Sequence, residues 1–524
     1  MAVGADLFWI DGECIEQKNS GEKELAIQSM DLVYSWSRYP VGLLSVPIIS
    51  QRQIRLLYIL LRGDFLDSTS TDRKPRLNSK FSMVTITEVI ELLKHITSDP
   101  WWSRGWVFQE EYRSSGRMQL LIPHARHLKK PRDTKVLGNI PGELNVNSAT
   151  FRRQTSLFCS VLLRQNHSHV SASGVVLDMR AQCSEILKKA KQYNISATTV
   201  RAVDGKSLKS MSSTIFADVG RRHITKHWDL VAIVANCCAY SSRLETTTLR
   251  HTKYSLSLSI LVLFLMNGEI FKNGKRVDVL PCDTIFDVLD KISLSGYKLP
   301  VDSKRLTFLK RCRFVDVKLR PAGVLTTGWL WTLSKRMNIT KAFLTRRCNA
   351  DRKVDYSHGL SKSLREKLRQ LAAVLRRDGH YQLIRYLYKY LDEDDCETAS
   401  KRSTLKPYQN LMVGSIIKAI EENTPIRLGR LEGRTYYSGI FVGEEGLGGI
   451  KNRCMFTAWK PAGHNGKGMT AAAAGYVDSH VSLMVDRVND LGRKPCLVTR
   501  KWVNGLCFWG DAPPTKVIFP WPIL

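Results

Sequence analysis

The first 124 residues alternate between short apolar runs, typical of buried strands, and longer segments in which apolar residues recur at helical spacing. The run at residues 7–10, closed by Asp11 and Gly12, predicts a buried strand whose carboxyl end carries polar groups. Further strands are predicted at about residues 41–46 and 118–122, and helices at about residues 21–38, 52–61 and 85–96. This alternation predicts a doubly wound α/β domain that ends near residue 124.

The rest of the chain divides into three regions by periodicity. Residues 125–150 combine glycine, proline and basic residues without apolar periodicity, which is typical of a linker or a long surface loop. Most segments of residues 151–400 have helical spacing, so a mainly helical region is predicted there. From residue 401 the period shortens toward two, which predicts a β-rich C-terminal module at residues 401–524. Its strands are predicted at residues 426–431, 435–442, 453–459, 480–485, 496–503 and 516–519.

One stretch near the end of the α/β region combines aromatic, basic and acidic residues. Residues 100–111 read Pro-Trp-Trp-Ser-Arg-Gly-Trp-Val-Phe-Gln-Glu-Glu. Asp99 and Pro100 predict a turn that starts a helix over about residues 103–113, because proline fits the first helical position. Trp106 and Glu110 are four residues apart and would share one face of that helix. An aromatic shelf beside a carboxylate suits a pocket that stacks a flat ligand, and it suits a packed amphipathic helix equally well.

The composition is that of a folded protein, with 43% hydrophobic and 24% charged residues. The net charge of +31 would attract phosphates, nucleic acid or anionic lipid by long-range steering. Because lysines and arginines are spread along the whole chain in short clusters, the charge is interpreted mainly as a solvated surface. Nucleic-acid binding is the less favoured alternative.

The twelve cysteines form no Cys-x-x-Cys pair and no Cys/His cluster with zinc spacing. They are predicted to be reduced thiols in a cytoplasmic protein, and no metal site is predicted. The N-terminus has no basic lead and no long apolar region, which argues against a signal peptide. The most apolar run, residues 256–266, is too short to span a bilayer and predicts a buried helix.

Strong motifs of several enzyme classes are missing. The sequence contains no P-loop, no Gly-x-Ser-x-Gly elbow and no His-Glu-x-x-His, which removes the strongest signals for an NTPase, a serine hydrolase or a zincin. Glycine-rich segments at residues 443–449 and 463–469 lie between predicted strands and are interpreted as loops rather than phosphate cradles.

Candidate ligand-binding residues lie at the two ends of the α/β region. Glu110 can orient a sugar hydroxyl and stabilise an oxocarbenium-like centre, as in cleavage of a glycosidic bond. The alternative is that Glu110 pairs with Arg113 along a surface helix. Asp11 would line the pocket from the end of the first strand, or it only forms a turn. Four tryptophans are expected near the pocket: Trp9, Trp101, Trp102 and Trp106.

Several segments resemble the fungal HET (heterokaryon incompatibility) domain. Trp-Ile-Asp-Gly-Glu-Cys-Ile-Glu-Gln at residues 9–17, Met-x-x-Val-Tyr at residues 30–34 and Trp-Trp-Ser-Arg-Gly-Trp-Val-Phe-Gln-Glu at residues 101–110 resemble its second and third blocks. The resemblance is specific within residues 5–112. Weaker matches at residues 228–240 and 311–317 and at the C-terminus resemble the long extensions of a subset of these proteins.

The resemblance implies a role in self/non-self recognition, in which HET proteins trigger growth arrest and cell death when incompatible strains fuse. The HET domain is similar to TIR domains, which have a flavodoxin-like fold. In TIR enzymes that cleave NAD the active glutamate follows a tryptophan by four positions, and Trp106 and Glu110 keep that spacing. The resemblance therefore implies NAD as a candidate substrate and no resident cofactor, with Glu110 as the catalytic residue and Trp106, Asp11 and Trp9 around the ligand.

The chain departs from the HET pattern at its start. HET domains begin with an earlier block that contains a Leu-Ser-Tyr-x-Trp-Gly-like strand, whereas this chain begins at the second block. The N-terminal domain, residues 1–124, is therefore expected to be an incomplete flavodoxin/TIR-like domain with an exposed sheet edge. A truncated chain, a substitute segment in the place of the strand, and an inactive domain all remain open.

Two functions compete at this point. The first is a TIR-like NAD glycohydrolase that uses Glu110. The second is a non-enzymatic signalling module that self-associates through the HET domain, while the helical and β-rich regions sense a protein partner. No membrane span is expected under either function, and nucleic-acid binding is supported by charge alone.

Overall fold

The computed structural model divides into two compact units. The first comprises residues 1–198 and 213–239, and the second comprises residues 199–212 and 240–524. The structure describes residues 7–18, 20–67, 75–114, 116–165, 174–190, 212–273, 280, 282–292, 297–298, 313–337, 339, 360–395, 406–443, 452–460, 479–491 and 494–521.

The first unit alternates helices and short strands. Its helices are α1 Asp11–Cys14, α2 Ser20–Trp36, α3 Gln51–Arg62, α4 Met83–Thr97, α5 Gly105–Arg113, α6 Thr134–Leu137, α7 Ser148–Gln165, α8 Gly174–Ala190, α9 Ser212–Val219 and α10 Asp229–Cys238. Its strands are β1 Val41–Leu43, β2 Leu66–Asp67, β3 Arg76–Leu77, β4 Gln119–Pro123 and β5 Glu143–Asn147. The predicted helices at residues 21–38, 52–61 and 85–96 are confirmed within a few residues.

Local capping explains where these helices begin and end. The Ser50 hydroxyl accepts a hydrogen bond from the Gln53 amide, and the Gln53 side chain accepts one from the Ser50 amide, which forms a capping box. α3 ends at Gly63, whose φ of 83° is the left-handed conformation that glycine adopts without strain. α4 begins earlier than expected, because Ser82 rather than Thr85 is its N-cap.

A three-stranded sheet with the order β1-β4-β5 forms the centre of the first unit. β1 and β4 are parallel, whereas β4 and β5 are antiparallel. One face of β4 and β5 is fully buried against the helices. The α/β class is confirmed, and β1 is an edge strand of the sheet. A flavodoxin-like or TIR-like arrangement stays a prediction.

The buried strand expected at residues 7–10 is wrong. These residues have no regular secondary structure, and α1 follows them directly. Leu7 is 91% exposed and Phe8 is 82% exposed. An apolar run marks a strand only when a neighbouring strand pairs with its backbone, and the described strands of the sheet leave this run unpaired.

The linker or surface loop expected at residues 125–150 is also wrong as a description of secondary structure. α6 and β5 lie within it, and β5 pairs with β4 over the whole of its length. Leu144 and Val146 are fully buried. Their alternation with polar residues is a two-residue period that is too short to stand out among the surrounding glycine, proline and lysine residues. The domain boundaries at residues 124, 150 and 400 stay predictions.

Asp99 connects the segment that follows β1 to the turn at residues 100–103, which contains Trp101 and Trp102, through hydrogen bonds. This buried carboxylate accepts hydrogen bonds from the Ser45 amide at 2.6 Å and the Ser45 hydroxyl at 2.9 Å. It also accepts hydrogen bonds from the amides of Val46 at 3.1 Å and Trp101 at 2.8 Å. The turn at residues 100–103 is a 3₁₀ helix, and it places Trp101 and Trp102 in the core, so the expectation that they lie near the pocket is wrong.

We expect Asp99→Ala to destabilise the first unit by about 2–3 kcal/mol, because donors around a buried carboxylate lose their acceptor. Asp64→Ala is the matched control, since the Asp64 carboxylate forms an exposed ion pair with Arg62 that contributes about 0–1 kcal/mol. Urea unfolding monitored by tryptophan fluorescence measures both variants. Equal unfolding midpoints for the two variants would contradict this role of Asp99.

The second unit contains helices and a large sheet. Its helices are α11 Thr246–Leu249, α12 Leu256–Met266, α13 Ile285–Ile292, α14 Lys362–Arg377, α15 Tyr381–Asp395 and α16 Lys406–Glu421. Its strands are β6 Lys272–Asn273, β7 Tyr297–Lys298, β8 Lys318–Arg320, β9 Gly323–Met337, β10 Ile426–Leu431, β11 Tyr437–Val442, β12 Arg453–Lys460, β13 Ser479–Leu491, β14 Lys494–Trp502, β15 Gly505–Cys507 and β16 Thr515–Pro520.

The sheet of the second unit has nine strands, in the order β12-β13-β14-β16-β9-β10-β11-β15, with β8 beside β9. β12 pairs with β9 as well as with β13, so β9, β12, β13, β14 and β16 close a ring. Gly328 of β9 permits this closure. A Cβ atom at Gly328 would lie 2.5 Å from the ring of Phe456 on β12.

The β-rich module predicted at the C-terminus is confirmed, and all six of its predicted strands are present. The mainly helical region predicted for residues 151–400 needs a correction. It contains β9, the long strand to which β8, β10, β12 and β16 all pair. The short strand β15 had no apolar run long enough to predict it. The glycine-rich segments at residues 444–449 and 463–469 lie outside the described residues.

Candidate functional site

The helix that carries Glu110 starts later than predicted. Arg104 has an extended backbone, with φ −73° and ψ 135°, and separates the 3₁₀ turn at residues 100–103 from α5. The cause is a β-bridge between Arg104 and His223. The His223 amide donates to the Ser103 carbonyl at 2.8 Å, and the Gly105 amide donates to the His223 carbonyl at 2.9 Å. These bonds hold Arg104 out of the helix at its N-terminus.

α5 is buried on nearly all sides. Seven of its nine residues are buried, and the two that are half-buried are Trp106 and Glu110. Since residues four apart lie one above the other on a helix, these two side chains form the one accessible face of α5. The geometry expected from their spacing is therefore present.

The Glu110 carboxylate lies among two polar side chains and one aromatic hydroxyl. Tyr34 of α2 shares a hydrogen bond with it, and Arg104 and Asp11 are close enough to act on it electrostatically. Burial raises the pKa of Glu110 to about 7, and the Asp11 charge adds to the rise. The positive charge of Arg104 and the Tyr34 hydrogen bond oppose it. Glu110 therefore changes its charge near neutral pH.

Tyr34 links the N-terminal segment to Glu110. Burial raises the pKa of Tyr34, and the charges of Glu110 and Asp11 raise it further. Tyr34 thus stays a neutral hydroxyl that donates to the carboxylate. The Trp9 ring packs edge-to-face on the Tyr34 ring, with centroids 5.8 Å apart and an interplanar angle of 81°. Trp9, Asp11 and Glu110 are therefore brought together around Tyr34.

The structure shows where Asp11 lies, and both interpretations of its role stay predictions. The exposed Asp11 carboxylate accepts a hydrogen bond from the amide of the next residue, Gly12, at 2.9 Å. Asp11 also raises the pKa values of Glu110 and Tyr34, so it lies beside the candidate site. It reaches this position from the start of α1 and not from the end of a strand.

Trp106 faces a residue that sequence reasoning did not single out. Its indole N–H donates to the Asp229 carboxylate at 3.3 Å, at the first residue of α10. The Trp106 ring thereby has a fixed orientation one helical turn from Glu110. Trp106 and Asp229 are 123 residues apart, and nothing in the sequence pattern links them.

The neighbours of Glu110 on α5 anchor the helix to the rest of the first unit. Gln109 accepts a hydrogen bond from Asn236 of α10, and Glu111 forms an ion pair with Arg152 of α7. The Arg113 guanidinium lies 3.8 Å from the Asp31 carboxylate of α2. The alternative pairing of Glu110 with Arg113 is therefore not what the helix shows, because Arg113 is buried on another face.

The N-terminal segment has a recognisable family. Residues 2–110 match the family model described as Heterokaryon incompatibility protein (HET). Residues 2–110 are thus similar to the HET domain. No curated protein and no solved structure matches the chain. The resemblance to the HET domain is thus confirmed, whereas the similarity to TIR domains stays a prediction.

The side chains around Glu110 lie within the HET match, except for Asp229. Trp9, Asp11, Tyr34, Arg104 and Trp106 all precede Glu110, which is the last matched residue. The HET domain therefore contains the candidate site, but Asp229 and the Arg152 partner of Glu111 come from later in the chain. Before the structure, Tyr34 stood out only as part of the Met-x-x-Val-Tyr segment of the HET resemblance, and nothing in that segment pointed to a role for its hydroxyl. The resemblance of residues 228–240 to the extensions of other HET proteins stays a prediction.

Other kinds of site find little support in the described part of the chain. Those residues bring together no group of three His, Cys, Asp or Glu side chains that could hold a metal ion. In the same residues we find no helix with the length and apolar character needed to cross a bilayer. A cytoplasmic location stays a prediction. A cavity of about 300 Å³ within the second unit is lined mainly by apolar side chains such as Val262, Ile285 and Leu289, which do not suit a dinucleotide.

Proposed function

We propose that this HET domain acts in heterokaryon incompatibility and that it does so by cleaving the bond between ribose and nicotinamide in NAD. One observation carries the proposal. Glu110 is a half-buried carboxylate with a pKa of about 7 on the one accessible face of α5, next to an oriented tryptophan. Perturbed carboxylates of this kind are frequent in catalytic sites.

The chemistry needs one ionised carboxylate. The bond between ribose C1 and the nicotinamide nitrogen breaks, and its electron pair leaves with nicotinamide. The ribosyl carbon then becomes oxocarbenium-like, and water adds its oxygen to that carbon and releases one proton to solvent. An ionised Glu110 would stabilise that centre, and its partly desolvated surroundings would strengthen the interaction.

The neighbouring side chains fit the ligand. The nicotinamide ring of NAD carries a positive charge, so its binding favours the ionised form of Glu110. The half-buried indole of Trp106 offers a stacking surface for that ring. Exposed Arg104 offers a cation for the phosphates, and Tyr34 orients the carboxylate.

Self-association without catalysis is the second candidate function. The observation that favours it is the edge strand β1, where Val41 is 43% exposed and Leu43 is 71% exposed. An edge strand with exposed apolar side chains can pair with another strand. The HET domain would then signal by assembly.

Release of nicotinamide from NAD by the purified full chain tests the proposed activity. We expect Glu110→Gln to lower the rate about 100-fold or more, because it removes the charge while keeping the shape. Glu91→Gln, at an exposed glutamate of α4, is the control and should leave the rate unchanged. Equal rates for the wild-type chain and Glu110→Gln would refute the catalytic role.

In that case, loss of association in Leu43→Lys, measured by light scattering, would support the second function.

A further inference from the structure

A segment of the first unit concentrates basic side chains that form no ion pair with the acidic residues that the structure describes. Residues 124–135, named here the basic loop, run from the end of β4 into the first turn of α6. Five side chains of the basic loop are exposed and form no ion pair with any acidic residue that the structure describes. Four of them are cations, Arg126, Lys129, Arg132 and Lys135, and the fifth is His127.

Hydrogen bonds hold the middle of the basic loop in place. The Gln51 side chain donates to the Lys129 carbonyl at 2.7 Å and accepts from the Lys129 amide at 2.9 Å. Lys130 turns inward and donates to the carbonyls of Ile140 at 2.5 Å and Glu143 at 2.6 Å. Leu128 is buried. The exposed cations therefore project from a fixed backbone, which lowers the entropy lost when they bind.

Exposed apolar side chains lie beside these cations. Ile49 is 62% exposed and directly follows Ile48, whose carbonyl accepts a hydrogen bond from Ala125 of the basic loop. Met83 is 59% exposed and Val84 is 72% exposed, both in the first turn of α4. These three side chains, named here the apolar tips, project into solvent.

One arginine brings the apolar tips together. Arg52 on the first turn of α3 donates to the Thr85 hydroxyl at 3.3 Å and to the Glu88 carboxylate at 2.6 Å, both on α4. The start of α4 is therefore adjacent to the start of α3, where Gln51 holds the basic loop. The basic loop and the apolar tips thus form one continuous surface around the N-terminus of α3.

We propose that this surface binds the anionic phospholipid face of a membrane as a peripheral contact. Cations near an anionic bilayer are attracted to its headgroups, and neighbouring apolar side chains enter the interfacial region. A nucleic acid would use the cations but would gain little from three exposed aliphatic side chains. The combination of charge and apolar tips therefore favours a lipid surface. This contact is independent of Glu110 and of any activity on NAD.

Sedimentation of the full chain with lipid vesicles tests the proposal. We expect binding to vesicles of phosphatidylcholine mixed with phosphatidylserine and weak binding to phosphatidylcholine alone. Lys129→Glu with Arg132→Glu should weaken the binding about 25-fold or more, since each cation near such a surface contributes about fivefold. Arg385→Glu with Lys389→Glu, at exposed positions of α15, makes the same charge change and should have little effect.

The apolar tips provide the second arm of the test. Ile49→Ser with Val84→Ser should lower binding to the mixed vesicles about fivefold or more while leaving binding to duplex DNA unchanged. Unchanged thermal unfolding of each variant shows that the first unit is intact. Equal binding of the wild-type chain to both kinds of vesicle would overturn the proposal. Equal losses of vesicle binding in the basic-loop and control variants would overturn it as well. The same holds if the apolar-tip variant binds the mixed vesicles as well as the wild-type chain does and the chain binds DNA tightly.

Discussion

Replacing Glu111 by glutamine is expected to lower the free energy of unfolding of the first unit by about 3–5 kcal/mol. Glu111 and Arg152 form a two-pronged ion pair, with N–O distances of 2.6 and 2.7 Å and side-chain exposures of 6% and 3%. The Ser148 hydroxyl also donates to Glu111. Without the carboxylate, the Arg152 charge would stay buried with too few acceptors, and that cost exceeds the value of the pair itself.

The pair is central because Arg152 also joins other elements. Its guanidinium donates to the Lys189 carbonyl of α8 at 3.0 Å and lies 4.8 Å from the centre of the Trp102 ring. Loss of Glu111 would therefore loosen α5 from both α7 and the 3₁₀ turn at residues 100–103. Because α5 carries Glu110, the candidate site would lose its support as well.

Two variants make the measurement specific. Glu88→Gln breaks the exposed pair between Arg52 and Glu88, whose side-chain exposures are 48% and 35%, and it should cost no more than about 1 kcal/mol. Glu111→Leu combined with Arg152→Met removes both charges and should recover much of the stability. Chemical unfolding at pH 7 gives the three values. A Glu111→Gln variant as stable as Glu88→Gln would show that the pair is not a major support of the fold.

Opposite pH responses of stability and activity are the second large effect, and both depend on Glu110. The ordinary pKa of glutamate is 4.5, whereas that of Glu110 in the folded chain is about 7. Between these values the folded chain binds more protons at this position than the unfolded chain does, so stability falls as pH rises. Above pH 7 the loss is complete and amounts to at most about 3 kcal/mol.

The wild-type chain should therefore lose stability between pH 5 and pH 8 through this residue, whereas Glu110→Gln should not. The free energy of unfolding of the variant minus that of the wild-type chain should accordingly be larger at pH 8 than at pH 5. The activity should change in the opposite direction, since the ionised carboxylate is the form that stabilises the ribosyl centre. Nicotinamide release by the wild-type chain is thus expected to rise as pH increases through about 7. The unfolding free energies of both chains at pH 5 and pH 8, together with the rate profile, test these statements.

The two readouts separate the environment of Glu110 from its role. An equal pH dependence of stability in the wild-type chain and Glu110→Gln would show that Glu110 does not titrate near neutrality. A rate that falls as pH rises through 7 would show that the protonated form of Glu110 is the active form. If stability shows the expected pH dependence but no nicotinamide is released, the raised pKa of Glu110 is supported and the proposed cleavage of NAD is refuted.

Much of the secondary structure followed from local sequence. Ser50, Gln53 and Gly63 fix the ends of α3 through capping contacts that span a few residues, and alternating residues mark the six strands of the C-terminal module. The predictions were wrong where the presence of a neighbouring strand determines whether a segment forms a strand. The run at residues 7–10 has the composition of a strand but no described strand beside it, whereas Leu144 and Val146 form a strand because β4 is present to pair with them.

For the candidate site, the sequence by itself determined that Trp106 and Glu110 share a helix face, since that depends only on the period of the helix. It also determined the HET resemblance within residues 5–112, which the family match at residues 2–110 confirms. The tertiary structure alone decided which face of α5 stays open, because burial depends on helices that arrive from residues 20–36, 148–165 and 229–238. It also decided that Tyr34 and Asp11 surround Glu110 and that Asp229 holds Trp106, since a pKa and a hydrogen bond depend on neighbours that are distant along the chain.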